Sequence, residues 1–273
     1  MGVDERSIEV AGALTFYRHA PAASIPALYL HSVPTSSDDW MELMQAAGGL
    51  APDLPGFGRS GKGADLDYSL NAYVDFVERF LVAVGVERVS LVGHGWGAAI
   101  GMIFAQRSPG SVHRVTIIDG IPLLDGFTWP TIPRWLRRPG IGEVLMGSIN
   151  RWMLARTLRG GCAVPEAWPD ARVDAIWDQF DQGTQRAILR LYRSVDGRSL
   201  ALAGSGLAEI EQPTLIVWGD ADPWLDPGFG DTYGRRIPHA VVERVPGAGH
   251  WPWLEKPELV GRVAAFVAGA PTG

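Results

Sequence analysis

The chain has 273 residues and a formal net charge of −6, with 47% hydrophobic and 20% charged residues, the profile of an ordinary globular protein. Its mild acidity, with arginines scattered rather than banded, argues against a nucleic-acid or anionic-membrane surface, and no apolar run reaches the roughly 18–20 residues that span a bilayer. The polar opening Met1-Gly2-Val3-Asp4-Glu5-Arg6 is unlike a secretory signal, and the single Cys162 excludes an internal disulfide, so a cytoplasmic monomer or homodimer is expected.

Residues 7–19 alternate as an opening hairpin turning at Gly12. Residues 26–31 predict a buried parallel strand that ends in a polar corner. A helix is predicted over 36–45, capped by Ser36 or Ser37, then a strand over 50–54 stopped by Pro55-Gly56-Phe57-Gly58. Leu70, Tyr73, Val74, Val77, Phe80 and Leu81 recur at helical spacing until Gly85. Residues 89–94 read as a buried strand leading through a glycine-rich corner into a helix of small residues. Further strands are predicted over 112–119, 213–218 and 240–245, with a helix after each of the last two, the final one over 257–267. Between Gly120 and about Gly206 the strand signals vanish. That stretch holds Trp129, Trp135, Trp152, Trp168 and Trp177, with helical patterns over 141–158 and 184–195. The expected fold class is therefore α/β: a mostly parallel central sheet flanked by helices, its core formed by 1–120 and 207–273, with a helical cap inserted over 121–206. Pro271-Thr272-Gly273 is expected as an unstructured end.

Chemistry is expected where three strands end at one edge of such a sheet. The first corner, Gly93-His94-Gly95-Trp96-Gly97, has the layout of a nucleophile elbow, in which a strained turn lifts one side chain above the sheet. Here the lifted residue is glycine. The second, Trp218-Gly219-Asp220-Ala221-Asp222-Pro223, supplies acids. The third, Pro246-Gly247-Ala248-Gly249-His250-Trp251-Pro252, supplies a histidine. Asp222 is assigned as the orienting acid and His250 as the base, since a carboxylate fixes the imidazole tautomer and supports its charged form. Asp119 and Asp220 compete for the acid's role. No phosphate-cradling glycine motif is present, and no metal-ligand spacing appears. Cys162 has no base at motif spacing and reads as inert.

Over essentially its whole length the chain resembles the α/β-hydrolase superfamily. His31-Ser32-Val33-Pro34-Thr35-Ser36-Ser37, Asp53-Leu54-Pro55-Gly56-Phe57-Gly58-Arg59-Ser60 and Gly93-His94-Gly95-Trp96-Gly97 are similar to the H-G-x-P-T-S-S, D-x-x-G-x-G-x-S and G-H-D-W-G blocks of haloalkane dehalogenases and epoxide hydrolases. The resemblance implies an elbow aspartate that attacks carbon and a histidine-activated water that hydrolyses the resulting ester. It further implies an oxyanion hole from the backbone N–H groups of Val33 and Trp96, a small apolar substrate, and no cofactor. Trp96, His31, Tyr192 and Trp251 are the candidates for substrate contact. Three departures stand out. Gly95 replaces the nucleophile, Ser32 replaces a glycine and narrows that corner, and Val33 replaces an asparagine that helps dehalogenases hold halide.

Glycine keeps the elbow turn at little steric cost, but losing a nucleophile costs roughly 10⁶ in turnover in a comparable triad. Three readings follow. The chain is a hydrolase inactivated or trapped by the loss of its nucleophile. Alternatively, Asp222 and His250 act alone as a general base, giving direct hydrolysis or a lyase. In the third reading the chain is a non-catalytic binder of small molecules.

Overall fold

The computed structural model describes residues 2–269; the closing tripeptide expected as an unstructured end lies outside them. Strands β1 (Asp4–Val10) and β2 (Ala13–Ala20) form the expected antiparallel hairpin. β3 (Ala27–Leu30) follows, then a 3-10 turn over Ser37–Trp40 that runs into α1 (Met41–Ala47). Ser36 caps that turn, accepting from the Asp38 N–H, as Ser/Thr/Asp caps commonly do. β4 (Gly49–Pro52), α2 (Leu70–Ala83), β5 (Val89–His94), α3 (Trp96–Arg107) and β6 (Val112–Ile118) complete the first half.

Between β6 and β7 the chain is helical: α4 (Thr131–Leu136), α5 (Ile141–Ser148), α6 (Arg151–Gly160), α7 (Asp170–Trp177), α8 (Gln182–Ser194) and α9 (Gly197–Ala203). The apolar pattern over 141–158 is two helices rather than one. Asn150 adopts an extended conformation and its side chain caps α6 by accepting from the Met153 N–H. The chain then returns through β7 (Thr214–Gly219), α10 (Gly228–Arg236), β8 (Ala240–Val245), the short α11 (Pro252–Glu255) and α12 (Glu258–Val267). No described helix is long and apolar enough to cross a membrane.

The eight strands form one sheet in the order β1-β2-β4-β3-β5-β6-β7-β8. β2 is antiparallel to both neighbours, and the pairs from β4–β3 to β7–β8 are parallel. Alternation along the central strands feeds two separate cores, because successive side chains point to opposite faces. Leu28, Leu30, Leu91 and Ile117 join one core with Phe80 and Trp96. Ala27, Tyr29, Val92 and Ile118 join the other with Trp40, Trp253 and Phe266, where the Trp40 and Trp253 rings stack at 5.0 Å. Burial on both faces explains why these strands read as near-continuous apolar runs.

Register decides what meets at the carboxyl edge. Leu30 pairs with Gly93, so two residues further on Ser32 and Gly95 stand level. His94 pairs with Ile118, which brings Gly95 beside Asp119. Helix α3 starts hard against β3: a Cβ on Gly97 would stand 1.9 Å from the Leu30 carbonyl oxygen. Gly97→Ala is therefore expected to destabilise the fold by about 1–3 kcal/mol or more, as overpacking against backbone does. A denaturant titration that found the variant's midpoint unchanged would contradict this close approach.

Candidate active site

The loop after β3 is held by buried polar contacts. Asp53 is fully buried and accepts from the Ser37 N–H at 2.7 Å and the Arg59 N–H at 2.8 Å. The Ser60 hydroxyl donates to the Asp53 carbonyl and accepts from the Phe16 N–H. The block 53–60 is thus a fastener for this corner. His31 belongs to the same fastening. Its Nε2 accepts from the Leu54 N–H at 2.9 Å, so its Nδ1 carries the proton and donates to the Ser32 carbonyl at 2.8 Å. Burial lowers its pKa. With both ring nitrogens engaged by backbone and no exposed surface, His31 is removed from the expected substrate contacts.

Gly95 joins β5 to α3 with φ +51° and ψ −114°, a conformation that L side chains rarely adopt. The elbow is intact but carries nothing. His250 faces it: a Cβ on Gly95 would stand 3.7 Å from His250 Nε2. On the other side of the ring, Nδ1 lies 2.7 Å from Asp222 Oδ2. Asp222 Oδ1 accepts from the backbone N–H groups of Trp224 at 2.8 Å and Leu225 at 3.1 Å. That arrangement favours a charged carboxylate, puts the neutral ring's proton on Nδ1, and leaves Nε2 as an acceptor. Asp220 instead pairs with Arg244 near the surface.

Asp119 reaches the same cluster from β6 but not the imidazole Nδ1. It has a left-handed φ of +41°. Its Oδ1 accepts from the Gly219 N–H at 3.0 Å, and its Oδ2 is buried without a partner. Burial, followed by the negative charge of Asp222, holds its pKa well above the usual carboxylate range. Burial and this neighbour therefore both bias Asp119 toward its neutral form. Ligand atoms of Asp119, Asp222 and His250 lie within 4.8 Å of one another. The carboxylate of Asp222 is already committed to an imidazole N–H and two amides, so the cluster fits a shared-proton network better than a cation.

The His250 loop is braced on all sides. His94 Nε2 donates to the His250 carbonyl at 2.8 Å, and burial followed by the His250 charge keeps His94 well below its ordinary pKa, hence neutral. The His250 N–H donates to the Gly161 carbonyl at 2.7 Å. Trp224 and Trp251 pack edge-on against the ring, each at 4.9 Å. Above this lies a cavity of about 130 Å³ lined by Val33, Pro34, Leu136, Met146, Leu154, Leu158, Ile188, Tyr192, Trp224 and Trp251, among others. Its wall is overwhelmingly apolar, which suits a small apolar guest. Tyr192 packs edge-on to Trp96 and Trp129, at 5.3 Å from each. The stacked indoles of Trp96 and Trp129 each bury an N–H without a partner. Burial pushes the Cys162 thiol up, in keeping with an inert cysteine.

One residue changes the picture drawn from sequence. Ser32 Oγ accepts from the Trp96 N–H at 3.2 Å, so one of the two expected oxyanion donors already has an acceptor. Ser32 Oγ and Cβ also lie 2.2 Å and 2.8 Å from where a Cβ on Gly95 would stand. Sequence reasoning marked Ser32 only as a bulkier corner. The signal that could have found it was the level pairing of two neighbouring strands, each departing from its block at the same height. Trp224 was also missed, since it sits in no motif, and Trp129 was counted only among the five tryptophans of the insertion.

The sequence profile of the alpha/beta hydrolase family matches residues 27–263. The chain is similar to a haloalkane dehalogenase of Bradyrhizobium diazoefficiens, 25% identical over 98% of this chain and 95% of that one. It is similar also to one of Mycobacterium marinum, 30% identical over 85% and 77% respectively. Among solved structures, it superposes on the haloalkane dehalogenase DbeA of Bradyrhizobium elkani with a TM-score of 0.86, at 25% identity and 98% coverage of both chains. Cfl2 of Burkholderia cenocepacia gives 0.87, at 25% identity and coverage of 97% and 96%.

Two expectations follow from the geometry. Gly95→Asp alone should destabilise the protein by about 1–3 kcal/mol through its clash with Ser32, and adding Ser32→Gly should recover most of that loss. Denaturant midpoints of the four proteins in this cycle read the coupling, and simple additivity would show that the two positions do not share a volume. Asp119 sets a pH dependence. The native state keeps a proton that the unfolded chain releases near the ordinary value of 3.8. The stability it contributes is full below that pH and is lost as pH rises through the elevated native value, at up to about 1.4 kcal/mol per pH unit. Asp119→Asn, which stays neutral, should show a shallower decline in urea midpoint with rising pH; parallel profiles would contradict a protonated Asp119.

Proposed function

The chain belongs to the α/β-hydrolase family, and on that premise we propose that it hydrolyses a small, largely apolar molecule held beneath the inserted helices. His250 acts as the base, Asp222 orients it, and residue 95 contributes space rather than a side chain. The observation that carries this reading is the pair itself: Nδ1 is 2.7 Å from a carboxylate oxygen of Asp222, while Nε2 lies 3.7 Å from where a Cβ on Gly95 would stand. In the reaction Nε2 takes the proton of the attacking oxygen and returns it to the leaving group, with Asp222 stabilising the imidazolium between the two transfers. The Val33 N–H and the unpartnered indole N–H groups of Trp96 and Trp129 are the donors offered to a developing oxyanion or a departing anion.

Loss of a nucleophile by a single substitution accounts less well for this site. Removing an elbow aspartate alone leaves a hole above the sheet, whereas here Ser32 fills the vacated volume. The corner is repacked around glycine.

The test is a panel of epoxides, haloalkanes and carboxylic esters incubated with the parent, His250→Ala and Asp222→Asn. Turnover by the parent should fall about 10²–10⁴-fold in His250→Ala, the usual contribution of a positioned base. Tight binding of a panel member without product would favour the binder reading instead. Equal rates in parent and His250→Ala would remove His250 from the chemistry.

A further inference from the structure

Two of the departures from the hydrolase blocks meet at one point. In the first block a serine stands where glycine is usual; in the elbow a glycine stands where a nucleophile is usual. The register of β3 against β5 sets those two positions level. Ser32 Oγ lies 2.2 Å from the point where an elbow Cβ would begin, and that same point is 3.7 Å from His250 Nε2. The side-chain oxygen of Ser32 and the base nitrogen of His250 therefore both border the point where an elbow Cβ would begin.

We infer that Ser32 is the nucleophile of this chain and that its substrates are small carboxylic esters; this rests on His250 and Asp222 being the base and its orienting acid. Ser32 is nearly fully buried. Its oxygen accepts from the Trp96 N–H at 3.2 Å, and its rotatable proton remains to be given to a base. Attack of Oγ on the ester carbonyl carbon sends that proton to Nε2. The bond from carbonyl carbon to the alcohol oxygen then breaks, and Nε2 returns the proton to the leaving alcohol. Water adds to the acyl-Ser32 ester with Nε2 again taking its proton, and release of the carboxylic acid restores Oγ–H. The Trp96 N–H contacts Oγ at rest and is placed to pass to the carbonyl oxygen as Oγ closes on carbon.

The chemistry of the attacking group selects the substrate class. An aspartate that accepts an alkyl group from a haloalkane or epoxide becomes an ester, which water can cleave. A serine that accepted the same alkyl group would become an ether and the site would stop after one turnover. A serine that accepts an acyl group becomes an ester and turns over. The apolar cavity beside the site, which Val33, Trp224 and Trp251 help to line, suits short apolar acyl and alcohol parts.

The test uses the parent protein with p-nitrophenyl acetate and, separately, a fluorophosphonate, followed by proteolysis and mass spectrometry. A covalent adduct is expected on the peptide carrying Ser32, together with a burst of p-nitrophenol of roughly one equivalent, the mark of an acyl-enzyme. Ser32→Ala should abolish the adduct and lower ester turnover by at least about 10³-fold. Haloalkanes and epoxides should give no steady turnover. Absence of an adduct at Ser32 in the parent, which needs no variant to fold, overturns the inference. Ester turnover that survives Ser32→Ala but not His250→Ala overturns it while leaving the base in place. Ester turnover that survives His250→Ala removes the base and this inference together.

Discussion

The ends of β3 and β5 stand level and close at the centre of the sheet, and the volume between them holds one side chain. Whatever occupies it sits in front of the imidazole of His250. A Cβ at position 95 and the hydroxymethyl group of Ser32 would lie within 2.2–2.8 Å of each other, far inside contact distance. The two positions are therefore alternatives. Helix α3 can approach the ends of these strands so closely because Gly97 puts no side chain against the Leu30 carbonyl. The hydrogen bond from the Trp96 N–H to Ser32 then closes the corner.

Around that volume, burial disfavours charge on three titratable groups. His31 and His94 are kept neutral by burial, and burial keeps the Asp119 proton in place beside Asp222. An unpaired buried charge is expensive, and Asp222 avoids the penalty by accepting two backbone N–H groups and the His250 Nδ1–H. The proton that moves in the proposed chemistry is thus handled by a single nitrogen, with His31, His94 and Asp119 each biased toward the neutral form by burial.

Much of this was legible in the residues. The alternation of apolar strand and helix gave the doubly covered sheet, and the three glycine-rich corners gave Gly95, Asp222 and His250. These signals are local, since a strand followed by Gly and His is written in contiguous letters. What sequence could not give were relations across strands. His31 was both a candidate substrate contact and a candidate for bonding local backbone near the oxyanion corner; its ring does the latter, and the distant backbone group at Leu54 is the part no local pattern shows. Ser32 looked like a bulkier glycine because its partner, Gly95, lies over sixty residues away. Asp222 was preferred on paper with Asp119 and Asp220 as competitors, and the hydrogen bond to Nδ1 is made by Asp222. Trp224 and Trp129 reach the site through loops whose course no periodicity encodes.

The bond from the His250 N–H to the Gly161 carbonyl ties the base to the inserted helices. Glu255 doubles the link, accepting from the Gly249 N–H at 2.7 Å with one oxygen and from the Val164 N–H at 2.8 Å with the other. A Cβ on Gly249 would stand 2.3 Å from the Gly161 carbonyl oxygen, so the two loops are in backbone contact. Lifting this side of the insertion would pull on the imidazole and break its alignment with the nucleophile's corner. The proton acceptor is thus held to the insertion by backbone, not by side chains alone, so the position of the base and the seating of these helices are set together.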